Sequence, residues 1–190
     1  MERGERMPER RGPWTVFGSE TKYKNPWIEV REDKVVRPDG KPGIFGTVKM
    51  KPGVSILPMD EQGFVYLTDE FHYALQKNSI EAVSGGIDEG ETPLQAAKRE
   101  LLEEAGIEAK HWLGLGRVDP FTSVVLSPAH LFLARGLTFV ERKQEGTERI
   151  NVVKMKFDRA VSMAFDGGIT HAPSCALILK AKMHLEGFKP

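Results

Sequence analysis

The run GGIDEGETPLQAAKRELLEEAGI, residues 85–107, decides the fold, because it carries a turn, a capped helix and a helix stop in succession. Thr92 followed by Gln95 is a capping box, in which each side chain satisfies the other's backbone N–H. Pro93 falls at the first helical position, where its missing N–H is no loss. Gly106 is free to take the left-handed conformation that closes a helix. The spacing predicts a helix over Pro93–Ala105. At 100° per residue Leu94, Ala97, Leu101 and Ala105 share its core face. Glu100, Glu103 and Glu104 gather on the flank of that face, three and four residues apart. Like charges at such spacings cost an exposed helix roughly 0.2–0.5 kcal/mol per pair, and a divalent cation reverses the sign of the effect. Hard carboxylate oxygens on a rigid helix suit magnesium or manganese, which also bridge phosphate oxygens. A solvated acidic face is the plainer alternative. The flanking residues weigh against it. Gly85 and Gly86 permit close backbone approach. Glu91 sits just before the helix, where it complements the dipole and is placed to pair with Arg99.

Upstream of this run, Trp14 to Phe71 reads as short strands separated by turns. WIEV and KVV are separated by Arg31-Glu32-Asp33. Turn clusters follow at Pro38–Gly43, Lys51–Gly53 and Asp60–Gly63. Ser79–Gly85 reads as a single short strand. Downstream, HWLGLGRV, AHLFLARGL and INVVKMKF read as strands. Asp158 is placed to cap a short helix ending at Gly167-Gly168, and a last amphipathic helix is expected from about Pro173 to Glu186. Strands, helix, strands and helices in that order favour an α/β class with a mixed sheet packed between helices. The division expected is a charged, frayed tail at 1–12, an N-terminal antiparallel β subdomain at 13–50 and a second domain at 51–190.

The 190 residues carry 27 basic and 27 acidic side chains, a formal net charge of zero. No global charge points to nucleic acid or an anionic membrane, and no apolar run approaches the roughly 20 residues of a membrane helix. A single cysteine, Cys175, rules out an intrachain disulfide and favours a cytoplasmic setting. The five histidines lack zinc-ligand spacing.

The run at 85–107 resembles the box of the Nudix family, G-x5-E-x7-R-E-U-x-E-E-x-G-U with U apolar. Gly85, Glu91, Arg99, Glu100, Leu101, Glu103, Glu104, Gly106 and Ile107 fill every specified place. The resemblance implies a Nudix-type α/β/α sandwich and hydrolysis of a nucleoside diphosphate linked to another moiety, with Mg2+ as cofactor and Mn2+ as a substitute. It implies Glu100 and Glu104 as principal metal ligands, and Glu103 as a ligand or water-positioning group. Gly85 would lend its carbonyl or allow the turn, with Arg99 and Glu91 as electrostatic support.

Within that family the rest of the chain is most similar to the ADP-ribose pyrophosphatase group. The N-terminal strands match that group's extra sheet, and EAVSG, Glu81–Gly85, stands where its E-L-P-A-G segment leads into the box. His72 stands where an arginine usually helps to hold substrate, and Asp119–Ala129 lacks an acid after Asp119. These departures bear on the substrate. A further catalytic carboxylate is expected from the loop at 144–150, where Glu148 is preferred to Glu145. His72, Glu81, Trp27 and Phe121 are candidate substrate contacts, with Trp14 and Phe45 as further aromatic candidates for stacking on a base. The resemblance also implies a homodimer. The rivals are a nucleotide-sugar sensor without turnover, and a Nudix enzyme for nucleoside triphosphates or dinucleotide polyphosphates.

Overall fold

The computed structural model describes residues 7–141 and 150–188. Two units cluster within the chain. One comprises Met1–Lys51 with Phe121–Ser127, and the other Pro52–Pro120 with Pro128–Pro190.

The first unit is a five-stranded sheet in the order β1-β2-β3-β4-β10. Its strands are β1 (Glu9–Arg11), β2 (Trp14–Lys24), β3 (Ile28–Val36), β4 (Pro42–Met50) and the two-residue β10 (Val125–Leu126). The first four pair antiparallel in sequence, and β10 lies parallel to β4. Two expectations are corrected here. Within the expected frayed tail at 1–12, Glu9–Arg11 is strand β1, because its register against Trp14–Val16 lets Arg11 reach the buried Asp33 at 2.9 Å. Arg31-Glu32-Asp33 is no turn. β3 runs through it unbroken, since Asp33 has Arg11 as its partner and Lys22 lies 3.2 Å from Glu32.

The second unit is built on β5 (Gly53–Pro58) and β11 (Ala129–Phe139), which pair in parallel. Strand β8 (Val83–Gly86) flanks β5, and β9 (Ile107–Val118) flanks β11, both antiparallel. A separate antiparallel sheet has the order β12-β6-β7, from Asn151–Lys156, Phe64–His72 and Lys77–Glu81. Alternation along β5 and β11 shows why the central sheet is covered on both faces. Val54, Ile56 and Ala134 join Ala96, Ala97, Leu101 and Ile107 in one core. Leu57, Leu131 and Leu133 join Leu177 and Ile178 in the other. Helix α1 (Pro93–Ala105) therefore covers one face, and α2 (Phe157–Asp166) and α3 (Ala172–Leu185) cover the opposite one. This is the α/β/α sandwich with a mixed sheet.

Helix α1 has the expected bounds. Both capping-box hydrogen bonds are present, and Gly106 has φ 63°. Its inner face differs by one residue, with Ala96 fully buried and Leu94 37% exposed. The small side chains of Ala96 and Ala97 let the helix lie close to β8 and β5, leaving Leu94 at the rim. Helix α2 begins at Phe157 without a side-chain cap, so Asp158 complements the first turn and does not cap it. The expected strand Ser79–Gly85 is two strands, β7 and β8, in different sheets. The break falls at Ala82, whose N–H donates to Ser174 Oγ of α3 at 2.8 Å and not to a strand.

Candidate active site

Arg99 is the centre of the site. Its Nε and Nη2 donate to the two oxygens of Glu91, each at 2.9 Å, in the bidentate geometry that suits a guanidinium and a carboxylate. Nη1 donates to Glu100 Oε1 at 2.8 Å and to Glu103 Oε2 at 3.2 Å. Nη2 also donates to the carbonyl of Gly86 at 2.9 Å, and Asp88 lies 3.7 Å away. The Glu91 hydrogen bonds, with the neighbouring Glu100 and Glu103, hold the Arg99 guanidinium far above its ordinary value. Glu91 also accepts from the N–H of Asp88 at 3.0 Å, so one carboxylate ties the loop to the helix.

The backbone of β8 faces these acids. Ser84 N–H donates to Glu104 Oε2 at 3.4 Å. A side-chain carbon built on Gly85 would collide with the Glu100 carboxylate. Gly85 has ordinary strand geometry, so its purpose is space and not a positive φ. Glu100, only 9% exposed, therefore rests against bare backbone at the inner edge of the helix.

Glu100, Glu103 and Glu104 are hard oxygen donors on one helix beside that open backbone, the donor type that a hard divalent cation takes. Among the described residues no three acids or histidines already close into a metal cage. Arg99 meanwhile supplies the positive charge that Glu100 and Glu103 share.

His72 Nε2 lies 2.9 Å from Glu81 Oε1, and the other Glu81 oxygen lies 3.1 Å from Nδ1 of His171. Sequence reasoning missed His171 and Ser174, since no local signal links residues about 90 positions apart to Glu81. Trp27 and Phe121 belong to the first unit, where they are 70% and 56% exposed. Trp14 and Phe45 stack edge-to-face there at 5.2 Å. Glu145 and Glu148 lie outside the described residues.

An acidic helix locked by one arginine to a glycine strand, on one face of a doubly covered sheet, is the arrangement of a Nudix hydrolase. A NUDIX domain profile matches residues 49–162, and the chain belongs to the Nudix family. Residues 14–48 match the nucleoside diphosphate sugar hydrolase N-terminal domain. Over 144 residues the chain is 28% identical to the ADP-ribose pyrophosphatase of Bacillus subtilis (strain 168), covering 72% of this chain and 75% of that one. The ADP-ribose pyrophosphatase of Mycobacterium tuberculosis is also 28% identical, over 72% of this chain and 67% of its own. The fold matches a crystal structure of an ADP compounds hydrolase with a TM-score of 0.80, at 19% identity, over 94% of this chain and 97% of that one.

Proposed function

We propose that the protein hydrolyses the pyrophosphate bond of a nucleoside diphosphate joined to another moiety, ADP-ribose or a nucleotide sugar, giving a nucleoside monophosphate and a sugar phosphate. The observation that carries this reading is the set of three acids on α1, Glu100 and Glu103 tethered by Arg99 and Glu104 held by the Ser84 N–H, beside the bare backbone of Gly85. Two relatives that are ADP-ribose pyrophosphatases direct the reading to ADP-ribose.

Glu100 and Glu104 would hold Mg2+ or Mn2+, with Glu103 as a further ligand or as the group that positions water. When bound, the cation neutralises pyrophosphate charge and lowers the pKa of a coordinated water. The chain's own work is positioning. Arg99 fixes the orientation of Glu100 and Glu103, Glu91 fixes Arg99, and Gly85 leaves room beside Glu100. Phosphoryl transfer asks little covalent chemistry of a protein, so such placement supplies most of the catalysis.

We read the first unit's sheet as a homodimer element. Phe17, Tyr23, Trp27 and Ile44 are exposed on that unit, an unusual set of large apolar groups to leave in water. No helix among the described residues is long and apolar enough to cross a membrane. The lone cysteine agrees with a cytoplasmic setting.

The test is a panel of nucleoside diphosphate sugars, dinucleotides and nucleoside triphosphates offered with Mg2+, with products identified by mass. ADP-ribose cleaved to AMP and ribose phosphate, and protected by chelator, is the expected result. Cleavage of a different member alone moves the substrate, and binding without any product overturns the enzyme in favour of a sensor. Light scattering gives the dimer mass, and a monomer removes that part of the reading.

A further inference from the structure

The corner between β7 and β8 is held by a hydrogen-bonded cluster drawn from three distant parts of the chain. Glu81 ends β7 and is 9% exposed. Its Oε1 lies 2.9 Å from His72 Nε2 on β6, and its Oε2 lies 3.1 Å from His171 Nδ1, just before α3. His171 Nδ1 is also 2.8 Å from Ser174 Oγ, which accepts the Ala82 N–H at 2.8 Å. Thr68 Oγ1 donates to the Glu81 carbonyl at 3.3 Å. Ser174 is fully buried.

A carboxylate so far out of water needs a donor on each oxygen. That requirement is met when both rings present an N–H to Glu81. On His171 the atom is Nδ1: the Ser174 hydroxyl at 2.8 Å could donate to a bare Nδ1, but that Nδ1 would set its lone pair against Glu81 Oε2. The same argument puts a proton on Nε2 of His72. The Nδ1–H form is the less common tautomer of a neutral imidazole in water, so the cluster selects it against the ring's own preference.

The corner leads straight to the site. Ala82 follows Glu81, and Ser84 Oγ lies 2.7 Å from the Ala82 carbonyl. Ser84 N–H reaches Glu104, and Gly85 abuts Glu100. Between the clamped carboxylate and the backbone against the acidic helix there are only Ala82, Val83 and Ser84.

We propose that His72 and His171 are positioning residues, which clamp Glu81 from both sides and so hold β8 in register with the carboxylates of α1. They act through Glu81, not on the substrate. The titratable groups facing the His171 ring are Glu81 from β7 and His72 from β6, with the Ser174 hydroxyl from α3. The inference rests on the pyrophosphatase reading for its effect on rate, but the ring protonation is independent of it.

The test joins two readouts on the full chain. Long-range proton–nitrogen NMR of the 15N-labelled protein at pH 8 reads the tautomers. Nε2–H on His72 and Nδ1–H on His171 are expected, and Nε2–H on His171 with a bare Nδ1 overturns the clamp. Kinetics on the substrate found by the panel supply the second. His171→Leu keeps bulk without a donor and is expected to lower kcat about 10-fold with KM nearly unchanged. His171→Asn keeps a donor and is expected to restore at least about half of kcat. Full kcat in His171→Leu overturns the clamp and leaves the enzyme reading intact. Should His171→Leu not fold, the half-exposed His72→Leu carries the kinetic arm with the same expectation. Should the wild type cleave nothing, the enzyme reading falls, and the tautomers alone decide the clamp.

Discussion

The Glu100 carboxylate occupies the place where any residue other than glycine at position 85 would put its side chain. Helix and strand are thus fitted to each other at the point where the acids gather, and the fit can be broken by one methyl group. Gly85→Ala is expected to turn the Glu100 carboxylate out of its place against β8 and off Arg99, costing about 1–3 kcal/mol as an overpacked site does. A shift near 1 Å at the reacting groups costs about 100-fold in kcat/KM. A denaturation midpoint and a rate measured together check this; wild-type values in both would show that the Glu100 side chain yields freely.

Glu104→Gln keeps the shape of the side chain and removes its charge. Turnover is expected to fall by at least about 100-fold with the circular dichroism spectrum unchanged. A divalent cation that binds only the native state of a protein raises its stability by about 2.7 kcal/mol at 100 times Kd. The metal-dependent rise in Tm should therefore be present in the wild type and small in Glu104→Gln. An equal rise in both would remove Glu104 from the metal site.

Arg99→Lys keeps the charge and loses the fork that spans Glu91, Glu100 and Gly86. The expected cost is about 2 kcal/mol, the worth of a hydrogen bond to a charged group, because an ammonium cannot satisfy all these acceptors at once. Urea denaturation reads it directly. A midpoint equal to the wild type's would mean that Arg99 serves as charge alone.

Burial pushes the His171 imidazole below its ordinary value of about 6.5, with His72 acting the same way and Glu81 opposing them. The unfolded chain then binds this proton more readily than the folded one. The contribution of His171 to stability is fully present above about pH 6.5 and is lost as pH falls through the lower folded-state value. Urea midpoints measured from pH 8 down to 5 should decline on the acid side, and less steeply in His171→Asn. Parallel slopes would assign the acid limb to other groups.

Thr92→Ala removes the side chain that accepts the Gln95 N–H at 3.3 Å. The helix should lose about 1 kcal/mol, visible in Tm, while activity measured well below that temperature stays near the wild type's.

The sequence is most legible where its signals are local. Thr92, Pro93, Gln95 and Gly106 set the bounds of α1 from within 15 residues, and the order of strands and helices is readable as a mixed sheet packed between helices. Local patterning fails where a distant partner overrides it. Arg31-Glu32-Asp33 looks like a polar turn until Arg11 and Lys22 are brought beside it. Ser79–Gly85 looks like one strand until Ser174 takes the Ala82 N–H. In the site, the spacing of the acids on α1 is written in the chain, and so is the pairing of Glu91 with Arg99. The reason for Gly85 and the meeting of Glu81 with His171 are not, because both depend on where separate elements come to rest.

The first unit's sheet takes its fifth strand from Phe121–Ser127, after the chain has left to build β5 through β9. Val125 and Leu126 pair with Val48 and Lys49, across 69 intervening residues assigned to the other unit, Pro52–Pro120. During synthesis at roughly 5–20 residues per second, the end of β4 at Val48–Lys49 waits for several seconds before β10 emerges to pair with it. An open strand edge is a template for other chains over that interval. The order in which the ribosome delivers this protein therefore leaves that end of β4 open to misassembly for as long as β10 is missing.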